Sequence, residues 1–371
     1  MNFEISDELR AVQDSLARLL ADHYTAKHRL ALAAAPTAYA EQAWKEMAGL
    51  GLTGLQVPEE FGGFGTRATD LLPVMHEMGR ALAPVPFLSS CVLGAAALRA
   101  ASDETLQRAL LPDLAAGTLQ VACAPLQTGE TAGVRAQGGE GRWQLQGVHA
   151  HLPYAASADW LVLPARVEGA RENALFLIDA RGPGIGLRTH RLIDGTPAAD
   201  VQLEGASATP LCAPGSTEAK TAIDAVIAAG IAAACAEMVG AMEAAFRLAV
   251  DYLKTRKQFG RLIGDNQALR HRASEMLVGL EMARSLSIAA AVAAGRGGFG
   301  DEAAKADLHR AKFLVARNAR YLCQAAIQLH GGIGMTEEYA VGHYLRRVHV
   351  LDLWFGDSSS HVEQLAEVAA A

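Results

Sequence analysis

QLHGGIGM, residues 328–335, puts three glycines into four positions at the end of a helical stretch. One glycine at C′ is enough to terminate a helix. Three in close succession indicate that another backbone, or a flat ligand, comes close to the chain here. This is not the glycine-rich turn that joins a strand to a helix in dinucleotide-binding folds, because it closes a helix rather than opening one.

Some seventy residues earlier, RKQFG at 256–260 follows another helical run. Arg256, Lys257 and Arg261 gather positive charge at that run's C-terminal end, where it complements the macrodipole, and Phe259 offers an apolar anchor. The run is long. Ile223, Val226, Ile227, Ile231, Ala234, Met238, Met242, Ala245, Leu248 and Tyr252 keep one face for roughly eight turns, close to 50 Å of helix. Asp265 is the expected N-cap of a second helix that ends at GRGGFG, 295–300. Asp301 caps a third, reaching about Leu329, and a last helix follows Ser358–Ser360. Four long antiparallel helices make a bundle over 213–371.

Residues 1–118 are also helical in spacing (Leu9, Val12, Leu16, Leu19, Leu20), interrupted by VPEEFGGFG at 57–65. Residues 119–212 differ. Short β-rich runs such as RWQLQGVHAHL, DWLVLPARV and NALFLIDA, separated by Gly, Pro and Asp clusters, predict a small barrel or sandwich. The fold class is α+β, mostly α: a helical domain, a middle β domain and a C-terminal bundle.

The chain has 371 residues, 51% hydrophobic and 20% charged, which supports a large core. Lys plus Arg is 33 against 40 acids, a net of −7, so no nucleic-acid surface is expected. No signal peptide and no membrane-crossing run are read. The five scattered cysteines suit free buried thiols in a reducing, cytoplasmic setting. No metal site is expected.

The two glycine- and arginine-bearing segments, taken together, resemble the acyl-CoA dehydrogenase family. The resemblance runs through Tyr252, Arg256, Gln258-Phe259-Gly260, Ile263 and Gln267. It continues through 328–334, Thr336, Glu337, Tyr339, Arg346 and Arg347, and includes 57–65. It implies α,β-dehydrogenation of an acyl-CoA thioester, an FAD cofactor, an electron-transfer flavoprotein as acceptor and at least a homodimer. It implies that Arg256 and Phe259, with Gln258 between them, serve the FAD of the adjacent subunit. Gln328, Gly331 and Gly332 would meet the adenosine and diphosphate side, with Asp357 and Ser359 as further cofactor contacts. A diphosphate suits a guanidinium and exposed backbone N–H groups.

The same resemblance exposes a gap. The family's usual glutamate base falls on Phe355, between Trp354 and Gly356. The alternative base position, on the long bundle helix, falls near Gly230, with Ile231 where an arginine often sits. A phenyl ring cannot accept a proton. Asp357 is the substitute base, or else an N-cap of the last helix. His361, His330 and His151 are weaker candidates, read as structural histidines. APLQTGET at 124–131 and HLPY at 151–154 depart from the family's flavin-facing loops. The opening 23 residues, 77–98 and 330–361 are similar to small-subunit chains of the pimeloyl-CoA dehydrogenase type. That implies a homo- or heterotetramer with a larger, base-bearing subunit. The alternatives are a self-sufficient enzyme using Asp357 and a non-catalytic acyl-CoA- or FAD-binding scaffold.

Overall fold

Ser6 opens the first helix: its Oγ accepts the Leu9 N–H, and Asp7 and Glu8 sit in the first turn, where acids favour the dipole. The computed structural model describes residues 6–370 except 26–27, 29–30, 33–38, 128–131, 140–141 and 171. The second half of the loop at 124–131 therefore lies outside the described residues. In the N-terminal region α1 (Asp7–His23), α2 (Glu41–Gly49), α3 (Leu72–Ala81), α4 (Ala95–Arg99) and α5 (Glu104–Ala115) pack together. A π-helical segment, Phe87–Gly94, runs into α4 with every residue buried.

The middle region is a barrel. Strands β1 (Val121–Cys123), β2 (Val134–Gly139), β3 (Arg142–Pro153), β4 (Trp160–Val167), β5 (Asn173–Asp179), β6 (Ile185–Arg191) and β7 (Pro197–Pro210) form one sheet. β4, β2, β3, β7 and β5 pair in that order and β5 pairs back to β4, which closes the ring; β1 and β6 attach to β4 and β7. Closure removes free edges from these five strands.

The C-terminal region begins with α6 (Thr217–Thr255), 39 residues or about 58 Å long. A two-stranded hairpin, β8 (Lys257–Gln258) and β9 (Arg261–Leu262), separates it from α7 (Gln267–Gly295). The second long helix thus starts after Asp265, which lies in a 3₁₀ turn, and Asn266 occupies the N-cap position without a side-chain cap bond. Asp301 does cap α8 (Glu302–His330), accepting from Ala304 N at 2.7 Å. The fourth side of the bundle is two short helices rather than one long one, α9 (Val341–Leu353) and α10 (Ser358–Ala370). α3 crosses α6 at backbone contact: a Cβ on Gly79 would stand 1.9 Å from Glu237 O, and one on Gly240 would stand 1.9 Å from His76 O. Only glycine allows that crossing, which fixes the N-terminal region on the bundle.

Contrary to the sequence expectation, two described helices are long and apolar enough to cross a membrane by length and composition. The apolar window of α6 is 89% buried inside the fold, so that helix is the core of the bundle. That of α7 is 39% buried, and Leu277, Val278 and Met282 lie on its exposed face.

Candidate active site

α9 ends at Leu353, and Phe355 and Gly356 both take positive φ, 65° and 96°, so the chain reverses between α9 and α10. Positive φ on a phenylalanine is costly and needs support from its surroundings. The support is packing. Phe355 is 2% exposed and its ring lies directly on α6 at Gly230. A Cβ on Gly230 would be 2.2 Å from Phe355 Cε1. The two positions at which the resemblance places a base are therefore in contact, and neither carries an ionisable group.

Lys312 of α8 holds the turn from beneath. It is fully buried, and Nζ donates to the carbonyls of Asp352 (2.7 Å) and Gly356 (3.0 Å), bracketing Trp354 and Phe355. Burial pulls its pKa down to about 8. Asp352 accepts from Ser358 Oγ at 3.0 Å and pairs with Arg320 at 3.3 Å. Asp357 is the cap of α10: its Oδ1 accepts the Ser360 N–H at 2.8 Å and the Ser360 hydroxyl at 2.7 Å. Those bonds stabilise the carboxylate and lower its pKa, the Ser360 backbone N–H most. A carboxylate held this way is a poor proton acceptor. His361 is buried beside His309, with their Nδ1 atoms 2.8 Å apart and both Nε2 atoms without a hydrogen-bond partner among the described residues. Burial keeps both neutral, His361 down to about 3 and His309 to about 4.

Arg347 is largely enclosed between barrel and bundle. It binds Glu237 of α6 (2.6 Å), Asp194 (2.9 Å) and Thr196 (3.2 Å), and its guanidinium lies 5.2 Å from the Trp354 ring centroid. A buried arginine between two carboxylates is charge-compensated in place, and these acids raise its pKa despite burial.

The residues assigned to the adjacent subunit's cofactor gather at one end of the bundle. Arg256, Gln258 and Phe259 lie on the exposed hairpin after α6; Phe259 has φ 51° and is fully exposed. Gln328, Gly331 and Gly332 are exposed at the end of α8. Tyr252 joins the two segments, its ring 4.6 Å from that of His330. His330 is structural: Nδ1 bonds Ala326 O at 2.7 Å and Nε2 meets Tyr339 Oη at 3.2 Å. Cβ atoms added to Gly331 and Gly332 would meet nothing within 4 Å, so a ligand can reach this backbone. Asp357 and Ser359 are elsewhere. Their segment docks on Arg320 and Lys312, and Arg320 is about 12 Å along α8 from Gln328. One chain thus presents two separate groups of expected cofactor contacts.

Sequence reasoning did not find Lys312 or the Arg347 cluster, because a single Lys or Arg in a helical pattern carries no mark of what it will face. Nor could it show that Phe355 and Gly230 touch, 125 residues apart in sequence.

The profile described as "Acyl-CoA dehydrogenase, C-terminal domain" matches residues 222–370, and "Acyl-CoA dehydrogenase, N-terminal domain" matches 6–118. Acyl-CoA dehydrogenase IpdE2 of Mycobacterium tuberculosis is 30% identical over 344 residues, covering 92% of this chain and 91% of that protein. Benzylmalonyl-CoA dehydrogenase of Aromatoleum aromaticum is 28% identical, covering 94% of each. Among solved structures, a variant of the Tcur3481–Tcur3483 steroid ACAD superposes with a TM-score of 0.89 at 26% identity, covering 99% of both chains.

Proposed function

The chain belongs to the acyl-CoA dehydrogenase family, and from that premise we propose that it is the base-lacking small subunit of a two-chain, FAD-dependent enzyme that dehydrogenates an acyl-CoA thioester. The observation that carries this reading is the contact between Phe355 and Gly230, which fills both base positions with one apolar packing unit. The nearest carboxylate, Asp357, is engaged as a helix cap. The chain is an oxidoreductase by family, and FAD, when bound, supplies the hydride acceptor.

The residues present fit the dinucleotide end of that cofactor. Arg256 offers an exposed guanidinium, Phe259 an exposed ring, and Gly331 and Gly332 an open backbone. These suit a diphosphate and a planar adenine. All lie on one solvent-facing end of the molecule, which supports their serving the cofactor of an adjacent subunit rather than this chain's own pocket. The solved steroid ACAD described above bears two protein names, Tcur3481 and Tcur3483, which supports a heteromeric partner.

A larger chain bearing the glutamate is the expected partner, with an electron-transfer flavoprotein as acceptor. The substrate proposed is a pimeloyl-type or other bulky acyl-CoA. The test is co-expression with a longer acyl-CoA dehydrogenase that carries a glutamate at the position of Phe355. A heteromer should form and retain FAD. Failure of the two chains to associate contradicts the reading. Nothing in the geometry favours Asp357 as a base, and the exposed dinucleotide-type surface counts against a bare scaffold.

A further inference from the structure

We propose that His151, His190 and Asp200 form a binding site for a divalent transition-metal ion of the zinc type on the barrel, at the start of the stretch that departs from the family's flavin-facing loop. The site is built by strand pairing. Asp200 lies on β7, directly opposite Arg188 of β6, and His190 is two residues further along β6, so all three share one face. On the other flank, β3 pairs His149 with Val201 and Leu152 with Ala199. Ala150 and His151 therefore oppose the single residue Asp200. This is a β-bulge, and His151 sits in it with φ 57°. A bulge re-aims a side chain, and here it brings His151 onto the face that carries His190 and Asp200.

The distances suit one ion. His151 Nδ1 is 2.8 Å from His190 Nε2 and 3.6 Å from Asp200 Oδ1, and one donor atom from each residue falls within 4.8 Å of the others. Tetrahedral ligands about 2.0–2.1 Å from zinc stand about 3.3 Å apart, so the separations change by no more than about 1.5 Å as the three close on an ion. A fourth position faces solvent for water. Two imidazoles and one carboxylate are a borderline donor set suited to zinc-like ions rather than to calcium or magnesium.

The surrounding bonds prepare the ligands. His190 Nδ1 lies 3.3 Å from the Arg188 carbonyl, so an N–H there leaves Nε2 with its lone pair directed at His151. Without metal, His151 Nδ1–H supplies the proton between the two rings, and the ion takes the place of that one proton. Asp200 Oδ1 accepts the His151 backbone N–H at 3.0 Å, which orients the carboxylate. Arg188 occupies Oδ2 at 2.6 Å and competes for its charge. The three ligands are 39 and 10 residues apart in sequence, a spacing no metal motif shares.

The experiment is titration of the tag-free, full-length protein with Zn²⁺ by calorimetry, with Co²⁺ absorption as a second readout. One ion per chain should bind, and His190→Ala should weaken it at least about tenfold. Arg188→Gln should tighten it, since Asp200 is then freed for the ion. Neither altered side chain is in the core, so folding is checked by an unchanged melting temperature. Absence of saturable binding, or binding unaltered in His190→Ala, overturns the proposal. Either result leaves the dehydrogenase reading untouched, because that reading rests on the Phe355–Gly230 contact and on Arg256, Phe259, Gly331 and Gly332.

Discussion

The edge of the Phe355 ring occupies the space a side chain on Gly230 would need, with Cε1 2.2 Å from where its Cβ would lie. The two residues therefore depend on one another. Gly230→Ala should cost about 1–3 kcal/mol through overpacking, and Phe355→Ala about 3–5 kcal/mol through the cavity it leaves. The double variant should be clearly less destabilised than the sum, because the added methyl enters the vacated space. Denaturant unfolding of the four proteins measures this coupling; additive losses would show that the residues do not touch.

Phe355→Glu should not create a working base. The new carboxylate would be buried against Gly230, where Lys312 is already engaged by the carbonyls of Asp352 and Gly356, at a cost of a few kcal/mol. The expected outcome is a lower melting temperature and no acyl-CoA oxidation by the chain alone. Gain of turnover in this variant would mean that the substrate channel of this subunit is open.

Lys312 ties the stability of the turn to pH. Its folded-state pKa of about 8 lies below the ordinary lysine value of about 10.4. Between those values the unfolded chain binds the extra proton, so this group makes stability rise with pH across that window, and the penalty is fully present below about 8. Lys312→Met should flatten that part of the curve. It should also destabilise the fold, since the carbonyls of Asp352 and Gly356 lose their donor, at about 1–3 kcal/mol each at most. Thermal unfolding from pH 7 to 10 for both proteins checks the sign. An unchanged slope in the variant contradicts it.

Asp357 separates a cap from a catalyst. Asp357→Ala should cost about 0.5–2 kcal/mol of stability and leave turnover of the assembled two-chain enzyme within a few-fold. The cap's contribution is fully present above the ordinary aspartate range and is lost as pH falls through the lowered folded value, because the folded state favours the ionised form. Loss of turnover with stability intact would reassign Asp357 to chemistry.

Arg347 links barrel to bundle through Asp194, Thr196 and Glu237. Arg347→Met should cost about 3–5 kcal/mol, as two buried carboxylates lose their counter-charge. Replacing Glu237 by Gln and Asp194 by Asn in the same chain should recover part of that loss. Proteolysis between barrel and bundle reports the same change.

The architecture was legible because its signals are local and repeated: helical spacing over 223–252, glycine and proline punctuation between short strands, and the Asp301 cap. Phe355 in place of an acid could also be seen, since a residue type is visible without coordinates. The structure adds what local pattern cannot carry. Lys312 reads as one more polar residue of an amphipathic helix, yet it lies at the centre of the turn that positions Phe355. The start of the last helix was legible from Asp357 and Ser358–Ser360, but the positive φ at Phe355 was not, because tertiary packing imposes it against the residue's own preference. His151, His190 and Asp200 meet only through a bulge in strand register.

The most direct measurement is acyl-CoA oxidation by this chain purified alone and loaded with FAD, beside the same chain co-purified with a longer, glutamate-bearing dehydrogenase. The account predicts turnover only in the pair, abolished when the partner's glutamate is replaced by glutamine. Sustained turnover by the single chain would contradict it.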